Sequence, residues 1–127
     1  MLKTVNTDKI PSIPNAPFSQ GVIAGEMLFL SGQVGTDPAS GKLVDGGVQA
    51  QAEQAIRNIG VILESCGVSY ESVVKATCFL SDIGDFGPFN DVYSRYFTGK
   101  PARSCFAVKD LPMGALVEVE VIVSLGK

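Results

Sequence analysis

The chain has 127 residues, with 10 Lys plus Arg against 13 Asp plus Glu, a net charge of −3 and a pI of about 4.8. That length suits one domain spanning 1–127, and a hydrophobic content of 46% excludes a mainly disordered chain. Histidine is absent, which removes Ser–His–Asp triads, Cys–His pairs, His-ligated metals and a His general base together.

In chain order, Met1 to Val5 reads as a short strand or arm, and Asn6 to Pro17, with Pro11, Pro14 and Pro17, as an irregular loop. Gln20 to Ala24 and Met27 to Ser31 are apolar runs split by Gly25-Glu26, a hairpin signal. Gly32 to Gly47 is rich in Gly, Asp, Pro and Ser and reads as loop. Val48, Ala52, Ala55, Ile56, Ile59, Ile62, Leu63 and Cys66 recur at a helical period, and Gly67 supplies a stop. Val73 to Leu80 reads as a strand. Asp85 is placed as the N-cap of a second helix running to about Phe97. Ala102 to Val108 and Ala115 to Leu125 are strands, joined by a turn at Leu111 to Gly114.

The order ββ, α, β, α, ββ predicts an α+β fold: one sheet with two helices on one face. In the last strand Val117, Val119, Val121 and Val123 share one face, and Glu118, Glu120 and Ile122 the other. The valines are expected to meet the helices. Met27 and Phe29 alternate with Leu28 and Leu30, and Val73 and Phe79 with Val74 and Leu80, so both faces of those strands are apolar. Two helices on one side cannot cover both, and a homo-oligomer burying the second face is expected.

Cys66, Cys78 and Cys105 are odd in number and form no CxxC, so they read as free thiols in a reducing compartment. The N-terminus lacks a basic segment followed by a long apolar run, and no run reaches the roughly 20 residues of a membrane span. A soluble cytoplasmic protein is expected, and the acidic balance argues against an electrostatic nucleic-acid footprint.

Few residues remain to carry chemistry. On a strand, Arg103 and Cys105 point one way and Ala102, Ser104 and Phe106 the other. If Arg103 takes the helix-free face, it shares that face with Glu118 and Glu120. It then reads either as a bidentate grip for a small carboxylate or as the partner of a structural Arg–Glu pair. A Glu on a partly apolar sheet face reads either as a water-orienting group of raised pKa or as an exposed strand carboxylate. Gly32, after Ser31, reads as a turn glycine or as a point of close backbone approach to a ligand. Asp82 and Asp85 lack a third close carboxylate and read as helix-entry residues rather than metal ligands. Phe86, Phe89, Tyr93, Tyr96 and Phe97 sit at helical spacing and read as core.

Several segments are more specific. Ala16-Pro17-Phe18-Ser19-Gln20-Gly21, Leu30-Ser31-Gly32-Gln33, Asp85-Phe86…Asn90…Tyr93…Phe97 and Pro101-Ala102-Arg103-Ser104-Cys105, followed by Val117-Glu118-Val119-Glu120, resemble the RidA (YjgF, L-PSP) family in order and spacing. The resemblance implies a chorismate-mutase-like α+β fold. It implies a homotrimer whose sheets form a central barrel, with clefts between subunits. It also implies hydrolysis of reactive 2-imino or enamine acids, such as 2-iminobutanoate and 2-iminopropanoate, to 2-oxo acids and ammonia; no cofactor is expected, and with no His and no paired Cys no transition-metal site is expected either. By the same resemblance Arg103 clamps the substrate carboxylate, backbone groups of Cys105 meet the imine nitrogen and Glu118 orients or activates water. Ser31, Gly32 and Asn90 shape the cleft, and Glu120 is a neighbour of the catalytic carboxylate. Phe18 stands where many deaminating members have Tyr. The rival expectations are an L-PSP-type ribonuclease or translation inhibitor, and a non-catalytic member binding small carboxylates or a partner protein. The missing histidine and the acidic charge speak against the ribonuclease.

Overall fold

The computed structural model describes residues 2–126. It contains strands β1 (Leu2–Val5), β2 (Gly21–Ala24), β3 (Met27–Leu30), β4 (Val73–Leu80), β5 (Ala102–Ala107) and β6 (Val117–Ser124). Its helices are α1 (Gly47–Ser65) and α2 (Phe86–Tyr96). The first strand agrees with the expectation from Leu2 onward; Met1 lies outside the described residues. The Gly25-Glu26 hairpin forms as expected, with Ala24 opposite Met27 and Gly25 at φ 63°. Helix α1 ends where Gly67 takes φ 74°, with the Gly67 and Val68 amides donating back to Glu64 and Leu63 carbonyls at 3.0 and 3.1 Å.

One sheet runs in the order β1-β2-β3-β6-β4-β5, and only β4 and β5 are parallel. A parallel pair needs a crossover, and α2 supplies it between these two strands. Both edges of the sheet, β1 and β5, are left without a second neighbour. The core lies between the sheet and the helices. Val117, Val119, Val121 and Val123 pack there with Leu28, Ala76, Cys78 and Leu80 beneath Ile56, Ile59, Ile62, Phe89 and Val92.

Two expectations need correction. Val73 was expected to share a face with Phe79 by strict alternation. A bulge between Val73 and Lys75 adds one residue to β4, so Val73 is buried with Ala76 and Cys78 while Val74 is left 46% exposed. Asp85 occupies the N-cap position of α2 but makes no side-chain capping bond. The capping carboxylate belongs to Asp82, whose Oδ1 accepts from the Gly84 amide at 2.9 Å and closes the short 3-10 turn leading into α2.

Opposite the helices the sheet is open. Phe29 is 43% and Phe106 is 46% exposed there, with half-buried Ile122 and Phe79 between them and Val22 beside Phe29 on β2. The expected second apolar face therefore exists in the folded chain, and nothing among the described residues covers it.

Ile59 is fully buried at the centre of the helix–sheet contact. Ile59→Ala should cost about 2–5 kcal/mol through lost contacts and the cavity left behind, read as a drop in the denaturant midpoint at constant m-value.

Candidate active site

The residues singled out in the sequence fall into two groups on opposite faces of the sheet. In the first group, Gln33 forms a β-bridge with Val119: the Gln33 amide donates to the Val119 carbonyl at 2.8 Å and the Val119 amide to the Gln33 carbonyl at 3.0 Å. That bridge lays the segment after β3 along β6. Gly32 then lies directly under Glu118, so close that an added Cβ would overlap the carboxylate oxygen Oε2. Glycine permits this close approach to the protein's own carboxylate, and any side chain here would displace Glu118. The Ser31 hydroxyl donates to the Ser19 carbonyl at 2.6 Å, and its amide to the Gln20 carbonyl at 2.9 Å. Ser31 thus ties this segment to the one carrying Phe18, whose ring is exposed.

Helix α1 holds the group in place from behind. Gln51 Oε1 accepts from the Leu116 amide at 2.9 Å, just before β6, and Asn58 Nδ2 donates to the Thr36 carbonyl at 2.9 Å. Both amides are buried. They are seven residues apart on one side of α1, two polar residues beside an apolar stripe. Two amides beside an apolar stripe are a sequence signal for a helix that holds loops.

Glu118 is half-buried, beside Phe79 across the strand pair. Desolvation, with the neighbouring Glu120 adding repulsion, raises its pKa above the ordinary carboxylate value.

The second group sits on the helix side at the edge of the sheet. Arg103 pairs in register with Ala76, and Cys105 with the buried Cys78, so both point toward the helices. This corrects the expectation that Arg103 could share a face with Glu118 and Glu120. Their cross-strand partners are Phe79 and Thr77 on the open face. Arg103 Nη1 donates to Asn90 Oδ1 at 2.7 Å, and the guanidinium carbon lies 5.5, 5.9 and 4.6 Å from the ring centres of Phe86, Phe89 and Tyr93. These four residues form one stripe of α2, and its outer part serves Arg103 as well as the core. The signal was present in the sequence as an amide placed among aromatics at helical spacing. Among the described residues the sole ion pair is Arg57–Glu53, so Arg103 has no carboxylate partner. The structural Arg–Glu pair is therefore not formed.

The thiols beside Arg103 are poor nucleophiles. Burial pushes Cys78 up to about 12, and desolvation raises Cys105 against the opposing pull of Arg103. Among the described residues no three His, Cys, Asp or Glu side chains gather as a metal site.

A half-buried, unpaired guanidinium has the chemistry to hold an anion, and a carboxylate of raised pKa has the chemistry to carry a proton. The family model for endoribonuclease L-PSP matches residues 9–125. The chain belongs to the L-PSP family. Similar L-PSP-family proteins include the 2-iminobutanoate/2-iminopropanoate deaminases of Bos taurus, Rattus norvegicus and Homo sapiens, at 47%, 44% and 41% identity. Each alignment covers 98% of this chain and 90% of the relative. Among solved structures, RidA from the Antarctic bacterium Psychrobacter is 39% identical with a TM-score of 0.90, covering 96% of this chain and 98% of that one. E. coli TdcF with bound serine is 34% identical with a TM-score of 0.88 at the same coverage. The L-PSP fold expected from the sequence, one sheet and two helices, is thereby shown.

The raised pKa of Glu118 has a consequence for stability. The folded protein holds this proton to higher pH than the unfolded chain does, so folding is favoured below the unfolded pKa. That advantage is lost as pH rises through the folded value. Glu118→Gln should therefore melt higher than the wild type at pH 7, and the difference should close near pH 4. Thermal scans across that range check it.

Proposed function

We propose that this protein hydrolyses small 2-imino acids to 2-oxo acids and ammonia at sites built between copies of the chain. The observation that carries the reading is Arg103: a guanidinium fixed by Asn90, free of any acidic partner among the described residues, at an open sheet edge. The names of the mammalian relatives supply the substrate class, 2-iminobutanoate and 2-iminopropanoate. The serine bound to TdcF is likewise a small molecule with one carboxylate.

In this reading Arg103 binds the substrate carboxylate with the N–H groups that Asn90 leaves free. Backbone groups of Cys105 meet the imine nitrogen. Glu118, against Gly32, orients a water toward C2, accepts its proton and returns it to nitrogen. The water oxygen bonds to C2 to give a carbinolamine; Glu118 then carries the hydroxyl proton to nitrogen as well, so the C–N bond breaks and ammonia leaves as the carbonyl forms. A carboxylate of raised pKa suits a group that must both take and give a proton near neutrality.

Within one protomer Arg103 and Glu118 lie on opposite faces of the sheet, two strands apart. No molecule as small as an imino acid touches both. Packing the open face and the β5 edge against other copies brings one protomer's Arg103 toward the partner's Glu118. The trimer implied by the family resemblance meets that need while burying Phe29 and Phe106.

Light scattering should return about 40 kDa, three times the 13.3 kDa chain; a stable monomer at micromolar concentration would refute the shared site. In an assay that couples a threonine dehydratase and follows imine decay, Arg103→Ala should remove detectable deamination while the oligomer stays folded. Arg103→Lys keeps the charge but grips at one point. Charge-assisted hydrogen bonds contribute about 1.5–3 kcal/mol each, so the lysine variant should lose roughly 10- to 100-fold in kcat/KM. Glu118→Gln should lose most turnover, and Glu120→Gln much less.

A further inference from the structure

We propose that Tyr93 is a positioning residue for Arg103, its ring face setting the plane in which the guanidinium receives the substrate carboxylate. Resting on the deaminase reading, this adds a residue that touches no substrate.

Two constraints are needed to hold a guanidinium for a two-point grip. One must stop it sliding in its own plane, and one must stop that plane from tipping. The 2.7 Å bond from Arg103 Nη1 to Asn90 Oδ1 supplies the first. A single hydrogen bond leaves rotation about its own axis free. The nearest surface that blocks this rotation is the Tyr93 ring, with the guanidinium carbon 4.6 Å from its centre; Phe86 and Phe89 stand farther off at 5.5 and 5.9 Å.

The Tyr93 ring is itself immobilised. It stacks on Phe97 at 4.4 Å with an interplanar angle of 24°, leans on Phe89 at 5.7 Å, and the residue is only 8% exposed. Its hydroxyl is buried without a hydrogen-bond partner among the described residues, so the phenol oxygen is not what holds Arg103. Burial pushes that phenol up to about 12, which keeps it neutral and leaves the electron-rich ring face as the attraction. Because Glu118 lies on the other face of the sheet, a fault at Tyr93 should be felt in carboxylate binding more than in the proton transfers.

The test compares Tyr93→Phe and Tyr93→Leu with the wild-type protein, reading kcat and KM in the coupled imine assay and the Kd for 2-oxobutanoate by calorimetry. Tyr93→Phe keeps the face and should stay within about threefold of wild type in KM and Kd, with a Tm equal or higher because the orphan hydroxyl is gone. Tyr93→Leu should raise both KM and Kd roughly 3- to 30-fold, with a smaller fall in kcat. In an Arg103→Ala background the leucine should cause no further loss of Kd.

If the leucine variant fails to fold, Phe analogues with increasing ring fluorination at position 93 keep the shape while draining the face. Kd should then rise with each fluorine. A Kd indifferent to leucine and to fluorination would overturn the proposal, as would a phenylalanine variant as impaired as the leucine one. Wild-type protein that binds 2-oxobutanoate but turns over no imine would instead refute the deaminase reading, leaving the Tyr93 comparison to be read from Kd.

Discussion

Side chains on β6 alternate, and most of the molecule follows from that. Val117, Val119, Val121 and Val123 are driven into the helix layer by burial of their apolar area. The pleat then obliges Glu118 to stand on the opposite face, half-desolvated beside Phe79. A slip of one residue would bury two carboxylates in the core and expose four valines, so the register is strongly specified. The position of Glu118 is set by hydrophobic packing on the side of the sheet that it does not touch.

Under the proposed function, stability and chemistry pull against each other at this residue. Desolvation and the charge of Glu120 make ionised Glu118 unfavourable, and the same two causes bring its pKa toward the range where a general base also serves as an acid. Gly32 allows the carboxylate to rest on the backbone, while Gln51 and Asn58 hold the surrounding segments from α1. Arg103 has a comparable arrangement on the other face. Its charge is supported by an amide oxygen and ring faces rather than by a carboxylate, so its capacity for an anion is not consumed within the chain. An internal ion pair would have used up that capacity.

The open sheet face and the unpaired β5 edge are the places where the folded protomer is unfinished. Glu118 stands on that face and Arg103 on that edge strand. In the proposed deaminase, assembly that covers the open face and the β5 edge would also bring the two half-sites together, so the same contacts would bury Phe29 and Phe106. Copies related by a closed symmetry would form as many equivalent sites as they have interfaces.

Amino-acid order by itself determined the element types and nearly all their limits. Period 3.6 in Val48 to Cys66 and period 2 in Val117 to Ser124 are direct imprints of which side chains must be dry. It also determined which residue types could do chemistry, since a chain without histidine leaves Arg103 and Glu118 as the strongest candidates, and its motifs named the family. The tertiary structure decided which face each candidate occupies. Alternation tells that Arg103 and Cys105 agree with each other, but not which side of the sheet they take. That depends on the parallel register of β5 against β4, which sets Arg103 beside Ala76 and under α2. The bulge at Val73–Lys75 was equally hidden, because one extra residue changes the phase of a strand without changing its composition. The separation of Arg103 from Glu118 is a property of strand order, and strand order arises from contacts between segments far apart in the chain.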